Sequence, residues 1–332
     1  MRVAITGGTG CLGLPMVKRL ISDEAYLKIL TLPNDLSASY FDNNKVEIIT
    51  GDLNSPNDLD RLCLDCDVVF HLAGMVHTVP GTEEEEQEFF RVNVEGTRNL
   101  LEVAKKNRVK RVVFYSTVGV YGKDSDFHGD ELSPCRPSTV YAKSKYLAEQ
   151  LVLNSYNDGG PEGVVLRFPV VYGPLDRGNV AHLIRAIKKK RFVYFGSALH
   201  LRSLISSKNA AEAAYLAANK PKAANQIFCV TNGVDYTMKH LVETICKGLG
   251  TSWRPMQIPL SLGKSMGIIG DILERLFHRP MPINSNRVRK LSRPLTFSCK
   301  KIQDILGYQP VRSLQDGIKD EIRWLRSVEN WI

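Results

Sequence analysis

The chain has 332 residues, 43% of them hydrophobic, and a net charge of +9 at neutral pH, enough for one large domain or two intimate ones around a sizeable core. That charge suits an anionic ligand, but nucleic-acid binding would call for clustered cations interleaved with aromatics; the one cluster, Lys188 to Arg191, ends a helical pattern over His182 to Lys190, where cations complement the helix dipole. Seven cysteines show no framework spacing, and the single Cys63-x-x-Cys66 pair has no partner pair or His couple, so free thiols in a reducing compartment are expected rather than disulfides or zinc.

Val3 to Ile5 reads as a strand, followed by a helix from about Cys11 to Ile21. The chain enters that strand directly, so no signal peptide is expected. Further strands are predicted at Lys28 to Thr31, Val46 to Thr50 and Asp67 to His71. A long helix over Glu84 to Asn107 leads to a strand at Arg111 to Tyr115, and a helix over Ser138 to Tyr156 leads to a strand at Gly163 to Arg167. Alternation of this kind implies right-handed βαβ crossovers and a parallel, doubly wound Rossmann-type sheet. Regularity fades after Arg167. The expected division is a first domain over 1–170, with a return segment near 200–230, and a smaller, mostly helical C-terminal lobe over 171–332 interleaved with it. No apolar run reaches the roughly 18 residues of a membrane span. The most apolar segment, Ile258 to Phe277, carries Lys264, Asp271, Glu274 and Arg275. It reads as a packed helix, with contact to a membrane surface as the alternative. Glu83 to Glu86 follow Thr82 as the acidic start of a helix.

Thr6-Gly7-Gly8-Thr9-Gly10-Cys11-Leu12-Gly13 lies between the first strand and the first helix, the context that gives a glycine pattern meaning. Gly7 permits a tight turn, Gly10 admits a pyrophosphate to the backbone, and Gly13 lets helix and strand pack closely. Phosphate would rest on the free amides of the helix N-terminus. After the second strand, Leu30 to Asp35 contains no arginine for a 2′-phosphate, and Asp35 falls a little late for the ribose hydroxyls. The expected cofactor is NAD, with NADP not excluded. Asp52 could meet an adenine amine or cap a helix. Far downstream, Tyr141 and Lys145 stand four apart, on one helix face. A neighbouring ammonium lowers a phenol's pKa, so Tyr141 could exchange a proton with an alcohol near neutrality.

Together these residues resemble the extended short-chain dehydrogenase/reductase family, over nearly the whole chain. The glycine run, Gly51-Asp52-Leu53, His71-Leu72-Ala73-Gly74 and Asn93 to Thr97 carry the likeness. So do Phe114 to Gly122, Tyr141-Ala142-Lys143-Ser144-Lys145 and Arg167 to Pro174. The resemblance implies roles by position. Tyr141 would be the acid/base, Lys145 would lower its pKa and bind the nicotinamide ribose, and Thr117 would bond the reacting oxygen, with Ser116 as the backup. Gly7, Gly10, Cys11, Leu12, Gly13, Asp52, Leu53, Leu72, Ala73, Asn93 and Phe168 would line the cofactor. Dehydratases of the family carry Asp-Glu after the catalytic threonine; here Val118 and Gly119 follow Thr117, so dehydration is not expected.

The second half resembles the nucleotide-sugar branch of that family. Asn179, in the run from Gly173, resembles a residue that contacts the nucleotide diphosphate, and Arg202, in Leu201 to Ile205, one that grips it. Arg293 and Arg289 are candidate second clamps. The resemblance implies an NAD-dependent nucleotide-sugar 4-epimerase. Alternatives are a nucleotide 4-keto-sugar reductase, a sterol or 3β-hydroxysteroid dehydrogenase, and a non-catalytic dinucleotide sensor. A cytoplasmic homodimer paired through Glu84–Asn107 and Ser138–Tyr156 is expected, with no nucleic-acid partner.

Overall fold

The computed structural model describes residues 1–35, 41, 44–76, 80–123, 125–277, 279, 281–329 and 331. Its main sheet is formed by β1 (Arg2–Thr6), β2 (Tyr26–Thr31), β3 (Val46–Thr50), β4 (Val68–His71) and β5 (Arg111–Thr117). After β6 (Phe127–Gly129), which lies elsewhere, β7 (Glu162–Phe168) rejoins it. β8 (Val170–Tyr172), β9 (Val193–Phe195) and β10 (Leu201–Ser206) belong to the lobe, and β11 (Gln226–Cys229) returns as the outermost strand of the main sheet. The order is β11-β7-β5-β4-β1-β2-β3, with every pairing parallel.

A buried parallel strand sends successive side chains into two different helix layers. Val3 and Ile5 of β1 face a core with α1 (Gly13–Ile21), while Ala4 between them faces a core with α2 (Pro56–Cys63). α3 (Glu83–Phe90) and α4 (Gly96–Lys106) follow, with a π-helical turn at Arg91–Glu95 between them. The expected single helix over Glu84 to Asn107 is thus two helices and a bulge. α5 (Val140–Asn154) covers the same face as α2 and α4. α6 (Asn179–Lys188) belongs to the lobe, while α7 (Ser207–Asn219) joins α1 on the opposite face.

The lobe holds β12 (Asp235–Thr237), α8 (Met238–Leu249), β13 (Met256–Ile258), α9 (Leu260–Phe277), α10 (Ser285–Ser292), β14 (Leu295–Phe297), α11 (Lys300–Leu306) and α12 (Leu314–Glu329). β6, β8, β10, β12 and β14 form a second sheet of five strands, so the lobe is less purely helical than expected. Its core packs α6, α8 and α12 together through Ile184, Val242, Ile245, Ile318 and Leu325. Lys188, at the end of α6, lies with its ammonium 4.2 Å from the centre of the Trp331 ring. The thiols of Cys63 and Cys66 are buried beside α2, where burial pushes them up to about 12 and about 11.

Candidate active site

Thr6, His71, Thr117 and Phe168 are the last residues of β1, β4, β5 and β7. They mark one edge of the parallel sheet. Its strand order reverses between β1 and β4, and the carboxyl edge at such a reversal opens a crevice for ligands. Gly7 turns at φ +72°, and a Cβ there would lie 2.7 Å from the Ala73 amide nitrogen. A Cβ on Gly13 would lie 2.2 Å from the Gly7 carbonyl oxygen. At Gly10 the only contact within 4 Å would be that same oxygen, at 3.7 Å. Gly7 and Gly13 are therefore sealed by the fold, and Gly10 faces open space. Cys11 and Leu12 complete the loop; Leu12 packs against the core, and burial with the Asp176 and Glu321 carboxyls pushes the Cys11 thiol up.

Two carboxylates follow the neighbouring strands β2 and β3. Thr9 Oγ1 donates to Asp35 Oδ2 at 2.6 Å, which holds the end of the β2 segment against the glycine turn. Asp35 therefore stands beside the loop, despite its late offset in the sequence. Asp52 Oδ1 accepts from the Asn54 amide at 2.7 Å, while Ser55 caps α2. The capping reading of Asp52 is thus replaced by an Asx turn at the end of β3. Leu53 is buried in the core of that face. An open Gly10, a helix N-terminus behind it and an acidic residue at the β2 end together fit a dinucleotide.

A hydrogen-bond chain ties these strand ends together. The Leu72 and Ala73 amides donate to the Thr6 carbonyl, each at 3.1 Å, and Ala73 N–H also reaches Thr6 Oγ1 at 3.2 Å. Thr6 Oγ1 meets His71 Nδ1 at 2.7 Å, His71 Nε2 meets Thr97 Oγ1 at 2.9 Å, and Thr97 donates to the Asn93 carbonyl at 2.7 Å. Donors and acceptors balance only if His71 is neutral with its proton on Nε2. Burial and the nearby Lys145 push the His71 pKa down to about 3, in agreement. Asn93 sits in the π-helical turn. Its Oδ1 accepts from the Met75 amide at 2.7 Å and its Nδ2 donates to Ser144 Oγ at 2.9 Å, while Ser144 donates to the Tyr141 carbonyl at 2.9 Å.

Thr139 caps α5, and Tyr141, Lys145 and Glu149 follow at four-residue steps on the face turned to β5. The Thr117 hydroxyl lies beside the Tyr141 phenol. Lys145 is buried, with its ammonium 3.9 Å from the centre of the Phe114 ring. The expected lowering of the Tyr141 pKa by Lys145 is not what this geometry gives. Burial pushes Tyr141 up to about 12, against the pull of the Thr117 hydroxyl, and burial pushes Lys145 down to about 7, against the pull of Glu149. Both charged forms lose water on burial, and that loss exceeds their mutual help. Ser116 is no substitute for Thr117. Its hydroxyl donates to Glu149 Oε1 at 2.5 Å, inside a buried Glu149–Arg167 ion pair at 2.7 Å. Phe168 lies beside Thr117 in register, with its ring in the core 5.1 Å from that of Tyr115.

In the lobe, Arg202 Nη2 donates to the Arg293 carbonyl at 3.2 Å, which brings the two predicted clamp residues side by side. Arg293 also pairs with Asp126 at 3.2 Å. Asn179 is the exposed first residue of α6, not a loop residue. Arg289 is exposed on α10 and donates to Asn286 at 3.1 Å. Sequence reasoning placed Asp35 a little late for the ribose and gave Ser144 and Glu149 no role. The signal for the last two was the helix repeat from Tyr141, read only as far as Lys145.

The model of the NAD dependent epimerase/dehydratase family matches residues 3–230. The chain belongs to the NAD-dependent epimerase/dehydratase family. It is accordingly an NAD-dependent enzyme of the epimerase or oxidoreductase type. Among its relatives, a UDP-glucose 4-epimerase of Vibrio cholerae is 29% identical over 96% of this chain and 93% of that protein. A decarboxylating sterol-4-alpha-carboxylate 3-dehydrogenase of Candida albicans is 28% identical over 97% of each. In fold, the chain is similar to the UDP-glucuronic acid 4-epimerase of Bacillus cereus, solved in complex with NAD, with a TM-score of 0.77 at 20% identity over 99% of both chains. Among the described residues no helix is long and apolar enough to cross a membrane.

Proposed function

We propose that this protein is a nucleotide-sugar 4-epimerase, with Tyr141 as the acid/base. The observation that carries the reading is the Arg202 guanidinium held against the Arg293 main chain in the lobe, in addition to the Thr117–Tyr141–Lys145 group. Guanidinium forks match the oxygens of a diphosphate, whereas a sterol would call for an apolar cleft. The epimerase relative, matched over nearly its full length, supports the same reading.

NAD, when bound, supplies the hydride acceptor and donor at its nicotinamide ring. The protein's own residues handle the proton. Thr117 Oγ1 and Tyr141 Oη would hydrogen-bond the sugar C4 oxygen, and Tyr141, as the phenolate, would take its proton. Return of the hydride to the opposite face of C4, with the proton given back to the C4 oxygen, would invert that centre with no net redox change. Lys145 would balance the phenolate that Tyr141 presents before the proton is taken and again after it is given back. A reductase would use the same residues for the second half alone, so the distinction is made by assay.

The purified protein is given UDP-hexoses and UDP-N-acetylhexosamines, and C4 configuration and NADH are followed together. Interconversion at C4 without net NADH change is expected. Stoichiometric NADH oxidation by a 4-keto sugar would assign the reductase instead. Turnover of a sterol alone would overturn the nucleotide-sugar reading.

A further inference from the structure

Helix α9 has two faces of different chemistry. Its buried positions are Gly263, Gly267 and Gly270. A Cβ on Gly270 would lie 1.9 Å from the Ile283 carbonyl oxygen and one on Gly267 would lie 2.9 Å from Ser285 Cα. The helix therefore rests directly on the backbone that leads into α10. Its two acidic residues also turn to that side. Asp271 Oδ1 accepts from the Ser285 amide at 3.1 Å, and Glu274 Oε1 accepts from the Met281 amide at 2.7 Å and Asn284 Nδ2 at 2.9 Å.

The outward face carries Leu262, Ile268, Ile269, Ile272 and Leu276, which are 53–67% exposed. They recur at three-, four- and seven-residue steps and so form one stripe along the helix. Single exposed Leu or Ile side chains are ordinary, but a continuous stripe of five is not. Exposed Lys264 stands one turn before Ile268, and exposed Arg275 one turn after Ile272. Exposed Arg287 lies on the neighbouring α10. The packed helix expected from sequence is thus packed on one side only.

We infer that α9 is an in-plane docking helix for an anionic lipid bilayer surface. An apolar stripe edged by Lys and Arg suits the boundary of headgroups and acyl chains, and the cations gain from anionic lipid. A second copy of the chain is the poorer occupant. It would set Lys264 and Arg275 against their own kind, since both acids of α9 are spent on the inner side. This surface is independent of the sugar chemistry.

The test uses the full-length protein with NAD and sedimentation with phosphatidylcholine vesicles, with or without phosphatidylglycerol. Binding to the anionic vesicles, weaker binding to neutral ones, and loss in high salt are expected. Ile272→Ser with Leu276→Ser should lower the partition by about tenfold or more, with the thermal midpoint and NAD binding unchanged. Lys264→Glu with Arg275→Glu should abolish the preference for anionic lipid. Indifference of the wild type to both vesicles, or binding that ignores lipid charge, would overturn the inference. A fall in oligomeric state for the Ile272/Leu276 variant without lipid would assign the stripe to a second copy.

Discussion

Tyr141 and Lys145 show how burial rewrites a side-chain pattern. Spacing predicts that an ammonium four residues away lowers the phenol's pKa. The fold buries Lys145 and half-buries Tyr141, and the phenol rises to about 12 while the ammonium falls to about 7. At neutral pH Tyr141 therefore holds its proton in the protein itself, and the negative form has to be drawn out by positive charge at the reacting centre. Removing the hydroxyl removes the proton route, so Tyr141→Phe should lower turnover by about two to four powers of ten with substrate binding retained; near-full activity would exclude Tyr141 as the acid/base. Lys145 makes a second prediction, on stability. Its folded pKa, about 7, lies below the ordinary 10.5. Between these values the unfolded chain binds more protons than the folded one, so this group makes stability rise with pH from about 7 to about 10.5. Lys145→Met should lose that rise, and thermal midpoints of the two proteins across this range should differ in slope. Parallel pH profiles would contradict a desolvated ammonium.

Element by element, legibility tracked periodicity. Val46–Thr50 was bounded from sequence as the structure has it, because β-branched residues there run between turn signals. The helix over Glu84 to Asn107 was not, because a π-helical turn leaves no gap in the apolar repeat, although it sets Asn93 between Met75 and Ser144. The five-stranded lobe sheet was illegible for another reason: its strands are three to six residues long and pair with partners far along the chain. The glycine loop was read from spacing, but only geometry separates its members. Gly13→Ala forces a Cβ to within 2.2 Å of a carbonyl and should cost about 1–3 kcal/mol in stability as well as cofactor binding. Gly10→Ala meets nothing closer than 3.7 Å. It should fold with an unchanged midpoint yet bind NAD more weakly, measured by calorimetry. Equal loss of stability in both variants would mean that Gly10 is a packing residue.

At the scale of the whole molecule, two units meet where α12 reaches the glycine loop. Glu321 Oε2 accepts from the Gly173 amide at 3.0 Å, and burial beside Asp176 pushes its pKa well up. Cys11 of the loop lies against the same carboxyls. The lobe that would read the substrate is thereby seated on the turn that would hold the cofactor. This arrangement could not be read from the sequence, since Cys11, Asp176 and Glu321 are far apart in the chain and none belongs to a motif with the others. The division of labour it implies can be tested from the other end of the lobe. Arg202 donates to the Arg293 main chain, within the lobe. A charged hydrogen bond to a diphosphate is worth about 1.5–3 kcal/mol, so Arg202→Ala should raise the Michaelis constant for the nucleotide sugar by about tenfold or more. NAD affinity should be unchanged, because the phosphates of the cofactor would rest on backbone amides rather than on the lobe. A variant that loses NAD together with the sugar would show that the two sites are one, and a variant that loses neither would remove Arg202 from the clamp.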